Sequence, residues 1–239
     1  MTIIAFMGRS NTGKDTGAAY LQEKHGYKPV AFAGPLKRLA KAIYEFSDEQ
    51  LYGPPAARNA PDPRFLDVKY VESVFSRLYP LCPEGRKILS ELFPGVSTNR
   101  AEERLLEQFM NTIVPQAQGM TTRKVLQQLG TEWGRAIEED LWLQALLREV
   151  TATRGQSWAI TDCRFPNEAQ FVDETLLNGY VFWIDASVRV PVDPAVDAHS
   201  SEPRYEDVAQ FVHVVIDNNG TPEQFHANIE RALNGLTAW

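Results

Sequence analysis

The segment Gly8-Arg9-Ser10-Asn11-Thr12-Gly13-Lys14-Asp15-Thr16 has the Gly-x4-Gly-Lys spacing of a phosphate-binding loop. Such a loop points several backbone N–H groups, and the positive end of a following helix, at one spot where polyphosphate can sit. Lys14 is then placed to reach the β- and γ-phosphates of a bound nucleotide. The flanks support this reading. The apolar run 2–7 precedes the loop as a buried strand would, and a helical pattern with Ala18, Ala19, Tyr20 and Leu21 among its apolar members follows it. The plainer alternative is a glycine-rich turn between a strand and a helix.

The residue after Lys14 is Asp15, where Ser or Thr usually offers a hydroxyl to Mg²⁺, and Thr16 stands one place later. Asp15 and Thr16 are therefore the candidate metal contacts, since a carboxylate is a suitable hard ligand. An acid in a first helical turn is equally explained by the helix dipole.

Three further groups of polar residues stand where a second phosphorylated molecule would need them. In Phe32-Ala33-Gly34-Pro35-Leu36-Lys37-Arg38 two cations fall in what should be the first turn of a helix, the end that favours anions. Lys37 and Arg38 are thus candidates to share an anionic ligand with free helix N–H groups, against the alternative of a solvated surface pair. Thr121-Thr122-Arg123-Lys124 repeats the pattern behind a hydroxyl cap, with Val125, Leu126, Leu129 and Trp133 as the apolar face. Arg123 offers a planar fork to a phosphate, and Gly130 reads as the end of this helix, so that Arg135 on the next one can approach the same pocket.

The stretch Trp158-Ala159-Ile160-Thr161-Asp162-Cys163-Arg164-Phe165-Pro166-Asn167-Glu168 reads as a strand that ends in polar residues and turns into a helix. Ligands of open α/β sheets gather at the carboxyl ends of strands. Asp162 is placed like an acid that positions Mg²⁺ or substrate, Arg164 like a group facing the transferring phosphoryl, and Glu168 joins them as a candidate substrate contact; the alternative is an Asp–Arg pair that only closes the turn. Farther on, Arg189 is a candidate lid arginine, His199 a candidate contact or an ordinary loop histidine, and Asn218 in Asp217-Asn218-Asn219-Gly220 a candidate nucleotide contact or part of a plain turn.

These groups need a frame. Short apolar runs at 2–7, 28–32, 157–161, 180–185 and 212–217 lack strict alternation and read as five buried parallel strands. Helical patterns cover 14–23, 35–46, 122–129, 133–151, 168–177 and 222–233, with further helices at 67–78 and 100–113. The order predicts an α/β, three-layer fold with a mostly parallel five-stranded sheet, a helical insertion and a lid. We expect a single domain over residues 1–239, with 33–156 as a helical monophosphate-binding and insert region, 53–63 as a loop and 186–204 as the lid.

Composition limits the function classes. A net charge of −7 over 239 residues argues against non-specific binding to nucleic acid or anionic membrane. Cys82 and Cys163 have no metal-ligand spacing and are too few for a disulfide framework, which points to a reducing cytoplasm. No stretch approaches the ~20 apolar residues of a membrane span.

Taken in order, GKDT, FAGPLK, TRKVLQQLGTEWGR, TDCRFPNEA, HSSE and DNNGT make the chain resemble the deoxynucleoside monophosphate kinase family found mainly in bacteriophages. The resemblance spans most of the chain, and LQQLGTEWGR with DCRFPNEA makes it specific. It implies a P-loop kinase fold, ATP with Mg²⁺ as donor, deoxynucleoside monophosphates as acceptors, and the cytoplasm of a host cell if the source is a phage. By the same resemblance Gly8, Gly13, Lys14, Asp15 and Thr16 bind ATP phosphates and metal, while Lys37, Arg123, Asp162 and Arg164 surround the acceptor and reaction centre. The extra helical segment around 65–115 departs from compact members, which leaves base preference and a homodimer through those helices as open questions. Two rival readings are another small-molecule P-loop kinase, such as one resembling dephospho-coenzyme A kinase, and a non-catalytic nucleotide sensor or assembly factor.

Overall fold

The computed structural model describes residues 1–190 and 203–236. In chain order, β1 (Ile3–Met7), α1 (Lys14–His25) and β2 (Lys28–Val30) are followed by a helical stretch. That stretch comprises α2 (Gly34–Tyr44), α3 (Asp48–Tyr52), α4 (Pro55–Asn59), α5 (Val68–Leu78), α6 (Pro83–Leu92), α7 (Asn99–Gln108) and α8 (Thr122–Gln127). The chain returns through α9 (Leu141–Ala152), β3 (Trp158–Cys163), α10 (Pro166–Glu174), β4 (Gly179–Asp185), the short α11 (Tyr205–Val208), β5 (Val214–Asp217) and α12 (Pro222–Leu236).

All four strand pairings are parallel, in the order β2-β3-β1-β4-β5. Parallel strands need crossover connections, and the apolar strand runs reflect a sheet covered on both faces. On one face α1 and α12 set Ala18, Leu21, Phe225, Ile229 and Ala232 against Ile4, Phe6, Phe182 and Ile184. Phe6 and Phe182 meet edge to face at 6.1 Å between ring centroids. Helix α10 packs on β1 and β4 and buries Ala169, Phe171 and Val172. The α/β fold with a five-stranded parallel sheet is therefore as the strand patterns predict.

Two compact units partition the chain. One is Met1–Phe32 with Leu146–Trp239, which holds the whole sheet, and the other is Ala33–Ala145. In the second unit α2 packs on α5, α6 and α8, and α5 on α7. Its core gathers Tyr44, Phe46, Phe65 and Phe109, all almost fully buried.

Several local expectations are corrected. Residues 53–63 are not all loop, because Pro54 and Pro55 open α4, where a first-turn proline loses no hydrogen bond. Helices α3 and α6 escape the sequence patterns. α3 is only five residues, held by a capping box between Ser47 and Gln50. The helix beginning at Thr122 does not end at Gly130; it runs on as a π-helical segment, Gln128–Arg135, and the next helix starts only at Leu141. Gly130 and Gly134 are packing glycines rather than terminators. A Cβ on Gly130 would stand 3.1 Å from Leu36 Cδ2, and one on Gly134 only 2.4 Å from Trp142 Cζ2. Similarly, the predicted helix over 100–113 is α7 followed by a π-helical turn, Phe109–Ile113. No helix among the described residues is long and apolar enough to cross a membrane.

The close approach at Gly134 has a measurable consequence. Gly134→Ala must push the Trp142 indole out of place, and overpacking of this kind costs about 1–3 kcal/mol. Thermal unfolding should show the loss; an unchanged transition would mean that this packing is not tight.

Candidate functional site

The first unit builds its site at the carboxyl ends of the central strands. β1 lies between β3 and β4, and its last residue, Met7, is paired with Cys163 on one side and Trp183 on the other. The loop Gly8–Gly13 therefore leaves the middle of the sheet, the region where ligands of open α/β sheets collect. Its backbone takes left-handed conformations at Asn11 (φ 63°) and Gly13 (φ 107°), and Gly8 has φ 142°. Glycine is needed at the last two, and Asn11 is one of the few side chains that tolerate the first.

Lys14 is buried and folds back over the loop, with Nζ donating to the carbonyl oxygens of Gly8 and Arg9, both at 2.7 Å. Thr12 Oγ1 also donates to Arg9 O, at 2.9 Å, and Thr12 N–H reaches the same oxygen at 3.4 Å. The loop is thus a closed ring with the ammonium group across it. Gly13 caps α1 without any side-chain hydrogen bond. The first-turn N–H groups of this twelve-residue helix have no intrahelical acceptor, and an anion is what such an end accepts. Those features fit a polyphosphate. Asp15 and Thr16 are exposed on the same first turn. Among the described residues no group of three or more His, Cys, Asp or Glu stands together as a metal site. A Mg²⁺ ion here would accordingly be held by phosphate oxygens with Asp15 or Thr16 as protein contacts, as in sites that rely on substrate phosphates.

Two neighbouring strand ends brace the loop from behind. Asn218, buried just after β5, donates from Nδ2 to Thr12 O at 2.7 Å. Arg189, exposed beyond β4, reaches Thr12 O from Nη2 at 3.3 Å and Asn218 O from Nε at 3.2 Å. Arg9 Nη1 donates to Val190 O at 3.4 Å. Asn219 accepts from the N–H groups of Val188 and Arg189 at 2.8 and 3.3 Å, tying the two exits together. Both asparagines of Asp217-Asn218-Asn219-Gly220 thus face the backbone of neighbouring segments.

Strand β3 brings Asp162, Arg164 and Glu168 to the same unit. β3 runs through Cys163, two residues beyond the expected 161, and its pairing with β1 slips by one residue between Ala5 and Met7, a bulge that includes Asp162. Bulges re-aim side chains. Asp162 Oδ1 accepts the Phe32 N–H at 2.8 Å, so this carboxylate binds the end of the β2 segment. Glu168 is buried and accepts the N–H groups of Arg164 and Phe165 through Oε2 at 2.8 and 3.1 Å. Its carboxylate fixes the turn from which Arg164 projects. Cys163 is fully buried, and burial first, then the nearby Glu168 and Asp162 carboxylates, push its thiol pKa well above the ordinary value, which leaves it an inert thiol.

The second unit holds Lys37, Arg38, Arg123 and Arg135. Lys37 closes the first turn of α2 and Arg38 opens the second, with Lys37 Nζ 4.6 Å from the Tyr52 ring centroid. Arg123 is in the first turn of α8, behind the expected cap: Thr121 Oγ1 accepts the Lys124 N–H at 3.1 Å. Arg135 ends the π-helical segment, which packs with α8 against α2. The start of α8 is set by Asp62. Asp62 N–H donates to Met120 O at 2.8 Å, and Pro61 forms an antiparallel bridge with Thr121. The Asp62 carboxylate, itself buried, receives Arg64 Nε at 3.0 Å and Nη2 at 2.6 Å, and Gln50 Nε2 at 3.0 Å. The Arg64 guanidinium sits 4.7 Å from the Tyr70 ring centroid. No sequence pattern marked this clasp. His199 and most of the expected lid, residues 191–202, lie outside the described residues.

Comparison with known proteins adds a sequence match along nearly the whole chain. Over 242 residues, 96% of this chain and 94% of the other, the sequence is 26% identical to a protein named putative deoxynucleotide monophosphate kinase from Acanthamoeba polyphaga mimivirus. The resemblance read from the sequence motifs is borne out. No protein-family model matches the chain. The crystal structure of TT1252 from Thermus thermophilus aligns with 99% of this chain and 96% of that one, at 17% identity and a TM-score of 0.43, a likeness too loose to carry an argument.

The clasp behind α8 yields a pH-dependent expectation. Burial works to raise the Asp62 pKa, but the hydrogen bonds and charge of Arg64, helped by Gln50, outweigh it and hold the carboxyl below its ordinary value. A lowered folded-state pKa contributes stability above the unfolded value and loses it as pH falls through the folded one. Asp62→Ala should therefore cost about 2 kcal/mol at neutral pH, the half-exposed Arg64 softening the loss. The difference from wild type should shrink only below the normal carboxylate range. Denaturant unfolding across pH measures it, and a pH-independent difference would contradict the assignment.

Proposed function

We propose that the chain is a nucleotide kinase that transfers a phosphoryl group from ATP to a deoxynucleoside monophosphate, giving the diphosphate and ADP. The observation that carries the kinase reading is the ring Gly8–Lys14 at the centre of a parallel sheet, with an uncapped helix end beside it. The acceptor is narrowed by the name of the mimivirus relative and by the motif order, both of which favour a deoxynucleotide substrate.

In this reading Gly8, Arg9, Ser10, Asn11, Thr12, Gly13 and Lys14 embrace the phosphates of ATP, with Asp15 or Thr16 toward the metal. Arg189 stands on the nucleotide side. Lys37, Arg38, Arg123 and Arg135, together with Asp162 and Arg164, serve the acceptor, while Glu168 holds the Arg164 turn. ATP and a monophosphate bring roughly six negative charges together, and phosphoryl transfer is accelerated mainly by alignment and charge neutralisation. Mg²⁺, when bound, supplies part of that neutralisation. The acceptor phosphate has a second pKa near ~6 and is already ionised at neutral pH, so a strong general base is unnecessary. Asp162, already accepting the Phe32 amide, suits an organising role better than proton abstraction.

A panel of acceptors in a coupled ADP-release assay tests the reading, with ribo- and deoxy-forms of each monophosphate and dephospho-coenzyme A included. We expect turnover with one or more deoxynucleotides, and Lys14→Ala to lower kcat/KM by about 10²–10³. Phosphorylation of dephospho-coenzyme A alone would replace the substrate assignment, and ATP binding without turnover of any acceptor would make the chain a sensor.

A further inference from the structure

The amide side chain of Asn218 is engaged with the backbone of the phosphate loop. It is buried, and its own backbone is pinned, with Asn218 N–H donating to Asp185 O at 2.7 Å. Its Nδ2 donates to Thr12 O at 2.7 Å. A Cβ added to Gly13 would lie 2.4 Å from that same Nδ2, so the amide abuts the loop with no room for a larger neighbour.

The peptide between Thr12 and Gly13 is planar and trans, so its C=O and N–H point in opposite directions. Holding the Thr12 carbonyl outward on Asn218 aims the Gly13 N–H inward, toward the concave side of the ring that Lys14 spans. Gly13 has φ 107°, a conformation that glycine adopts readily but shares with many others, so the hydrogen bond to Asn218 selects it. Arg189 adds a second, longer bond to the same oxygen from the neighbouring strand exit. Two strand ends, those of β4 and β5, thereby fix one peptide plane.

We propose that Asn218 is a positioning residue that locks the Thr12–Gly13 peptide so that the Gly13 N–H is presented to the nucleotide phosphate. The inference rests on the nucleotide-kinase reading above and assigns Asn218 a task within it other than contact with the base. It does not touch the reacting atoms. Its effect is on the affinity for the nucleoside triphosphate, with the acceptor left alone.

The test compares wild type, Asn218→Ala and Asn218→Asp in the full chain, by calorimetric titration with ATP from mildly acidic to mildly alkaline pH. Asn218→Ala should weaken ATP about tenfold, the scale of one buried hydrogen bond and the orientation it sets. Asn218→Asp has the same shape but, when ionised, only accepts hydrogen bonds and faces the Thr12 oxygen with like charge, so it should weaken ATP more at alkaline pH. On acidification its carboxyl gains an O–H donor, and its affinity relative to wild type should recover. Because an ionised carboxylate beside the loop also repels ATP directly, the neutral Asn218→Ala variant and the Gly13 amide carry the distinction from a side chain that merely fills space. KM for the monophosphate acceptor should be unchanged in both variants. The Gly13 amide resonance should shift on adding ATP to wild type and shift less in Asn218→Ala, which decides the matter if Asn218→Asp does not fold. ATP affinity in the variants equal to that of a wild type that does bind ATP would overturn this inference alone. A wild type that binds no ATP would overturn it together with the functional reading.

Discussion

Lys14 lies across its own loop, its ammonium held by the carbonyl oxygens of Gly8 and Arg9, and the rest of the first unit is arranged around that closure. A strand that ends at the centre of a sheet leaves polar backbone groups with no neighbour to pair with. Here they are turned into a ring: carbonyls toward the lysine, Thr12 back onto Arg9, and Gly8, Asn11 and Gly13 at the points where the chain takes positive φ. Burial of Phe6, Phe182, Phe225 and their neighbours beneath the ring makes its position a property of the core. Few changes to that core would leave the loop where it is.

The two units treat their polar groups differently. In the sheet unit, side chains are used to orient backbone: Asp162 takes the Phe32 amide, Glu168 takes two amides of the β3–α10 turn, and Asn218 and Asn219 secure the loop and the β4 exit. In the helical unit the main buried polar cluster is an ion pair, Asp62 with Arg64, sharing Gln50 and the Tyr70 ring. That cluster sits at the point where Pro61 and Asp62 pair with Met120 and Thr121, so the segments added before α8 serve to fix where α8 begins. The cationic residues Arg123 and Lys124 then ride on a helix end whose place is set by buried charge.

Two π-helical segments, Phe109–Ile113 and Gln128–Arg135, lie in this unit. Such segments are uncommon and widen the helix locally. The second is lined by glycines that admit Leu36 and Trp142 at contact distance, while Trp133 donates from Nε1 to Ala101 O at 3.0 Å. The motif LQQLGTEWGR, specific as a family resemblance, thus has a packing meaning: its glycines and tryptophan receive Leu36 of α2, Ala101 of α7 and Trp142 at the start of α9.

The strands, the flanking helices and the phosphate loop were legible in the sequence because each depends on local information: an apolar run of strand length, a 3.6-residue period, or glycines at fixed offsets from a lysine. The motif order also pointed to a family, and a whole-chain relative supports it. The sequence could not show that Gly130 and Gly134 continue a helix, since a glycine reads the same whether it ends a helix or admits Trp142. It could not show that Asp162 lies in a β-bulge and binds Phe32, or that Asp62 and Arg64 form a clasp with Gln50, because those partners are brought together only when non-adjacent segments pack. Asn218 was visible as a polar residue after a strand. That its amide holds Thr12, more than two hundred positions away in sequence, was decided by the tertiary structure, since only the sheet order places the end of β5 behind a loop that starts at β1.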